Sequence, residues 1–197
     1  MKKILLSLSV ISLLSTVAVA ESTLDGGAYV GIGFGLSSYG DNDLAKDKFA
    51  GSSLDKSDMA FRTYGGWQFN KIVGLEVGYS DYGSFQLGVD TIEASSFNVA
   101  ANLGYTFLDG QLRPFALVGL SYMNSDYPDG STYDIDANSV GVHTGLGIVY
   151  APSSFHGIGF RLAVDADTYG LDYISSGDTK SYTQTMASTY LGVDYHF

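Results

Sequence analysis

Hydrophobic residues recur at every second position along most of this chain, in eight stretches separated by turn-forming residues. That is the period of a β-strand whose two faces meet different surroundings. One face reads Val30, Ile32, Phe34, Leu36, then Phe61, Thr63, Gly65, Trp67, Phe69, then Val73, Leu75, Val77, Tyr79, then Phe97, Val99, Ala101, Leu103, Tyr105, Phe107. It continues as Pro114, Ala116, Val118, Leu120, Tyr122, then Val140, Val142, Thr144, Leu146, Ile148, Tyr150, then Ile158, Phe160, Leu162, Val164, Ala166, and finally Thr189, Leu191, Val193, Tyr195, Phe197. These 40 positions hold no charge. The 32 interleaved positions hold 13 glycines together with Arg62, Glu76, Asn98, Asn102, His143, Arg161, Asp165, Asp194 and His196, and no lysine.

The second face decides the environment. In a water-soluble sandwich or barrel it would meet solvent and carry Lys, Glu and Thr. A glycine in a strand costs roughly 0.5 to 1 kcal/mol relative to alanine, so 13 of them on one face need a reason. A narrow barrel supplies it: eight strands close into a cylinder just wide enough for side chains to fill, with small residues alternating with large or polar ones inside. The uncharged row then faces acyl chains. Closure is forced in lipid, where an open strand edge would leave backbone N–H and C=O groups unpaired. The predicted fold is an all-β, eight-stranded antiparallel up-and-down transmembrane β-barrel, with both chain ends on one side because eight is even. The predicted connectors alternate long and short: 37–58, 83–92, 123–136 and 170–182 long, with 70–71, 108–112 and 151–157 short between them. The short set belongs inside the cell envelope and the long set outside. Trp67, Phe69, Tyr105, Phe107, Tyr150, Tyr195 and Phe197 fall at one set of strand ends, and Tyr79 and Tyr122 near the other, as interfacial girdles do.

Residues 1–20 carry Lys2 and Lys3, an apolar stretch from Ile4 to Leu14 and a terminal Ala18-Val19-Ala20, the three parts of a cleaved secretory signal peptide. Residues 21–197 are then one barrel domain. Without Lys2 and Lys3 the chain has eight basic against 21 acidic residues, a net charge of −13, which excludes nucleic acid as a partner. There is no cysteine, so no disulfide, thiolate metal site or acyl-cysteine anchor is expected.

The stretch Gly66-Trp67-Gln68-Phe69-Asn70-Lys71, followed by Gly74 to Gly83, resembles the second and third strands of the small outer-membrane barrels related to the transmembrane domain of outer membrane protein A. Arg113-Pro114-Phe115-Ala116-Leu117-Val118-Gly119-Leu120-Ser121-Tyr122 is similar to the fifth strand of that family. The ending Leu191, Val193, Tyr195, Phe197 resembles its carboxyl-end assembly signal. The resemblance implies an outer-membrane location in bacteria, contact with membrane lipid and lipopolysaccharide, and passage through periplasmic chaperones and the barrel-assembly machinery. Longer members continue into a peptidoglycan-binding domain; with the sequence ending at Phe197, no cell-wall tether is expected.

The interior charges Arg62, Glu76, Arg161, Asp165, Asp167 and Asp194 are the candidate site. Arg62 and Glu76 lie on strands joined by a tight turn and can pair across the lumen. The expected role is an ion-pair plug, because isolated charges are so costly inside. His143 in the lumen, His156 in a turn and His196 near the end form no nucleophile–base–acid set, so no enzyme and no cofactor are expected. Asp126, Asp129, Asp134 and Asp136 have oxygens of the kind that hold Ca²⁺, yet the acidic loops lack an EF-hand pattern and solvation explains them more simply. Function is expected to be structural or surface-interactive, through acidic outer loops that meet a host or surface ligand. A narrow pore is the alternative, and a lipid-modifying enzyme ranks last.

Overall fold

A computed structural model describes residues 24–41, 57–87, 90–126, 138–175 and 178–197. They form eight strands, β1 (Gly27–Asp41), β2 (Ser57–Gln68), β3 (Val73–Leu87), β4 (Asp90–Gly104), β5 (Leu112–Asp126), β6 (Asn138–Tyr150), β7 (Ile158–Ser175) and β8 (Asp178–His196), with one 3₁₀ turn at Ser153–Phe155. Each strand pairs antiparallel with its neighbours in sequence, and β1 pairs with β8 to close the barrel. The register sets its shape. The line of partners from Gly31 runs through Tyr64, Gly78, Asn98, Ser121, Gly141, Tyr169 and Gln184 and returns to β1 at Asp41, ten residues further on. A stagger of that size over eight strands tilts them by roughly 40° and leaves an interior filled by side chains.

The two faces fall as the alternation requires. Leu146 and Leu191 on the outward row are each 68% exposed, whereas Glu76, His143, Asp165 and Asp167 are 0% exposed. A protein core turned inside out in this way is stable only in hydrocarbon. Two apolar clusters bound the interior. One runs from Leu24, Val149 and Ala151 near the end that carries the chain termini up to Tyr64, Leu117 and Tyr190 in the middle of the lumen; the other, with Tyr82, Ala94, Met123, Tyr169 and Met186, lies toward the far end.

The outer connectors differ from expectation. Residues 83–92 and 170–182 are mostly strand: β3 and β4 leave only 88–89 between them, and β7 and β8 only 176–177. The ladder persists through pairs such as Phe85↔Ile92 and Tyr173↔Lys180. The cause is physical: once past the hydrocarbon a strand need not keep an apolar face, so the alternation fades while backbone pairing continues. Between Asp81 and Ser84 the β3–β4 register shifts at a bulge. Gly83 sits there at φ 76°, a conformation that glycine adopts without strain. Asp58 of β2 fastens the bulge, accepting from the Ser84 amide at 2.7 Å, while Asp81 accepts from the Gly83 amide at 2.9 Å.

One close approach yields a test of the packing. A methyl group on Gly35 would press into the backbone of Thr189 and Tyr190, which has nowhere to go, whereas a methyl on Gly170 would meet nothing within 4 Å. Gly35→Ala is expected to lower stability by about 1–3 kcal/mol and Gly170→Ala to change it by less than about 0.5 kcal/mol. Urea unfolding in detergent micelles, followed by the fluorescence of the single tryptophan Trp67, measures both.

Candidate functional site

The arginine–carboxylate contacts of the interior come from four strands, β2, β3, β7 and β8, and their meeting follows from the register. Gly66↔Glu76 and Gly33↔Arg62 set β1, β2 and β3 side by side, and Arg161↔Gly192 brings β7 against β8 at the same height. Glu76 is the hub. Arg161 Nη1 donates to its Oε2 at 3.0 Å and to Oε1 at 3.2 Å, Arg62 Nη2 to Oε1 at 3.3 Å, the Tyr29 hydroxyl to Oε2 at 2.7 Å and Asn102 Nδ2 to Oε2 at 3.3 Å. Arg161 reaches Asp194 with Nε at 3.3 Å, and Tyr64 donates to the same carboxylate. The Arg161 guanidinium also lies over the Tyr64 ring at 3.9 Å from its centre, which adds a cation–π contact.

Arg62 links this group to the next. Its Nη1 stands 3.1 Å from Asp165 Oδ2 and donates to Ser80 at 2.8 Å, and its Nη2 donates to Asn98 at 3.3 Å. The contact with Asp165 is one of charge: among the described residues neither carboxylate oxygen has a partner in hydrogen-bond geometry. Toward the far end Asp167 accepts from Tyr82 at 2.5 Å and from Ser96 at 2.7 Å, and His143 Nδ1 lies 2.7 Å from it. Every polar group in this sequence of contacts is buried, so unpaired charge is kept low where it would cost most.

The structure thus places Arg62, Glu76, Arg161 and Asp194 in one connected group, with Asp165 attached through Arg62. Asp167 sits apart, with His143 rather than with an arginine. Sequence reasoning did not single out Arg113, Tyr29, Tyr64, Tyr82 or Tyr190, all of them buried. A signal was present: Arg113 continues the inward row of β5 by one step, and the tyrosines lie where neighbouring strands carry glycine, Tyr64 against Gly31 and Tyr190 against Gly33. Leu191, Val193 and Tyr195 face outward, and Phe197 packs edge-on against Tyr195 with ring centres 5.0 Å apart. Asp126 ends β5, while Asp129, Asp134 and Asp136 lie outside the described residues. Exposed His156 sits in the turn between β6 and β7, and His196 stacks on Tyr29 at 5.4 Å.

The profile of the outer membrane protein β-barrel domain family matches residues 5–197. No curated protein matches the chain in sequence. Among solved structures the chain is similar to Neisserial surface protein A (NspA), at 14% identity over 87% of this chain and 97% of that one, with a TM-score of 0.63. It is similar to OprG from Pseudomonas aeruginosa, at 14% identity over 90% and 99%, with a TM-score of 0.55. It is also similar to Ail, the attachment invasion locus protein of Yersinia pestis, in complex with the heparin analogue sucrose octasulfate, at 16% identity over 88% and 99%, again with a TM-score of 0.55. At these identities the likeness is one of fold.

Proposed function

The chain belongs to the outer membrane protein β-barrel domain family, and on that premise we propose that it is a non-conducting anchor in the bacterial outer membrane that presents its far-end strands and acidic loops for surface contact. The observation that supports this reading is the filled lumen. Glu76, Arg62, Arg161 and Asp194 are tied to one another, one buried apolar cluster packs among them and a second lies toward the far end, so an ion would have to break buried pairs to pass. In barrels of this class short turns face the periplasm and longer connections the exterior. The far end, with the extended β3–β4 and β7–β8 hairpins, is then the displayed surface. Export through the leader at residues 1–20 belongs to the same reading.

Charge sets the class of partner. With acids at Asp41, Asp43, Asp47, Asp55, Asp126, Asp129, Asp134, Asp136, Asp172 and Asp178 in the outer segments, the surface suits neutral or cationic partners and repels sulfated ones. Single-channel recording in planar bilayers is expected to show no opening events across salts and voltages; steady conductance would favour the pore reading instead. Cells displaying the protein are expected to adhere to poly-lysine-coated surfaces and to pass heparin-coated ones. Replacing 42–56 and 127–137 by Gly-Ser turns should abolish that adhesion and leave the heat-modifiable barrel band on a cold gel. Retained adhesion in the replaced protein would rule out the loop-contact role.

A further inference from the structure

β1 begins at Gly27, and the residues before it leave the barrel wall. Gly27 has φ 110°, a conformation open to glycine and strained for other residues, and the chain turns there over the end that carries both termini. Leu24 and Asp25 lie in a turn, and the Leu24 amide donates to the carbonyl of Gly110 at 3.0 Å. Gly110 belongs to the turn between β4 and β5, whereas β1 is flanked by β2 and β8, so this bond reaches across the mouth of the barrel rather than along its rim. Asp25 adds an ion pair with Lys71 of the β2–β3 turn at 3.4 Å.

The Leu24 side chain is buried and belongs to the cluster that holds Tyr29, Phe115, Val149 and Ala151. It shares the wall of a small cavity with Val149, Asn102, Arg113 and Arg161, so its isobutyl group lies over charged groups of the lumen. Its attachment is slight beside that of the strands. Each strand is held by a ladder on both edges, whereas among the described residues 24–26 are held by one backbone bond, one ion pair at the surface and one buried side chain. An exposed ion pair contributes little, and an element fastened in this way opens locally at a cost far below that of unfolding the barrel. We propose that residues 24–26 are a lid hinged at Gly27 with Leu24 as its stopper: shut, the lid keeps water from the Arg113 and Arg161 end of the lumen, and it opens without disturbing the strands. The pairs that Glu76 makes with Arg62 and Arg161 do not involve the lid, so its opening hydrates this end of the lumen without creating a pore.

The protein has no cysteine, so a single introduced thiol reports the access of water where it is placed. Val149→Cys puts one, with little change of volume, on the cavity wall that Leu24 shares, and Met123→Cys puts one in the far-end cluster, which the lid does not touch. Reaction with a charged methanethiosulfonate is followed by mass spectrometry on the folded protein in detergent. Adding Leu24→Gly is expected to speed the labelling of Val149→Cys by roughly tenfold to a hundredfold, the factor that corresponds to burying one leucine side chain, and to leave Met123→Cys at its original rate. An unchanged rate at Val149→Cys would overturn the proposal. So would an equal rise at both positions, which would mean that Leu24→Gly loosens the whole barrel. Ala151→Cys, in the same cluster as Leu24, takes the place of Val149→Cys should that variant fail to fold, and the same two outcomes decide.

Discussion

Glu76→Gln is expected to destabilise the barrel by about 3–5 kcal/mol, the cost of removing one partner from a buried ion pair and leaving the other charge behind. Here two charges are left. Arg161 loses both of its bonds to the Glu76 carboxylate and Arg62 loses one, while Tyr29 and Asn102 keep only a weaker amide to address. The loss is large against the roughly 5–15 kcal/mol that holds a typical domain folded. Asp165→Asn makes the comparison sharp. Its oxygens have no hydrogen bonds, and Arg62 keeps Glu76, Ser80 and Asn98 when that carboxylate is gone. A loss of about 1–3 kcal/mol is expected there. Combining Glu76→Gln with Arg161→Gln should cost less than the two singles together by about 0.5–3 kcal/mol, since both act on one network. Equilibrium urea unfolding in lipid vesicles reads all four proteins. Equal losses for Glu76→Gln and Asp165→Asn would mean that Glu76 is no hub.

Leu146→Arg is expected to cost about 2–4 kcal/mol in a bilayer, the depth-dependent penalty for a cation on the lipid face near the midplane. Leu146 lies midway along β6, between Tyr150 at one end and Val140 toward the other, and is 68% exposed. In a water-soluble protein an exposed leucine changed to arginine would alter stability by no more than about 0.5 kcal/mol. The sign and size of this one change therefore distinguish the two environments. Leu36→Arg, at 64% exposure but nearer the far end of the strands, should cost less because the penalty falls toward the interface. Vesicle-based unfolding at matched lipid composition measures the pair, and a Leu146→Arg barrel as stable as the parent would refute burial in hydrocarbon.

The fold was legible because one rule operates eight times. Each strand must show acyl chains an uncharged face, so Val30 to Leu36, Val140 to Tyr150 and Thr189 to Phe197 announce their own phase, and the phase assigns Arg62, Glu76 and Asp194 to the inside. What the rule leaves open is which interior groups touch, because that depends on the stagger between strands. Asp165 and Asp167 look equivalent on β7. One register step lays Asp165 against Gly145 and Asp167 against His143, and the two end with different partners. The same limit hides Arg113, whose place in the inward row precedes the alternation of β5 and whose partner on the neighbouring strand is the amide of Asn102. Beyond the membrane the rule lapses altogether, which is why the alternation gives a connector over 170–182 where the far ends of β7 and β8 continue as strand.

The seam between β1 and β8 has a consequence for how the molecule is made. Tyr29 aligns with His196 and Val30 with Tyr195, so the first strand to be synthesised stays without one of its two partners until the last has been translated. No shorter piece of the chain can satisfy its own edges, and contacts between residues so distant in sequence make folding slow. The barrel therefore closes only when β8 is in place, and the last open edge is satisfied in a single late event.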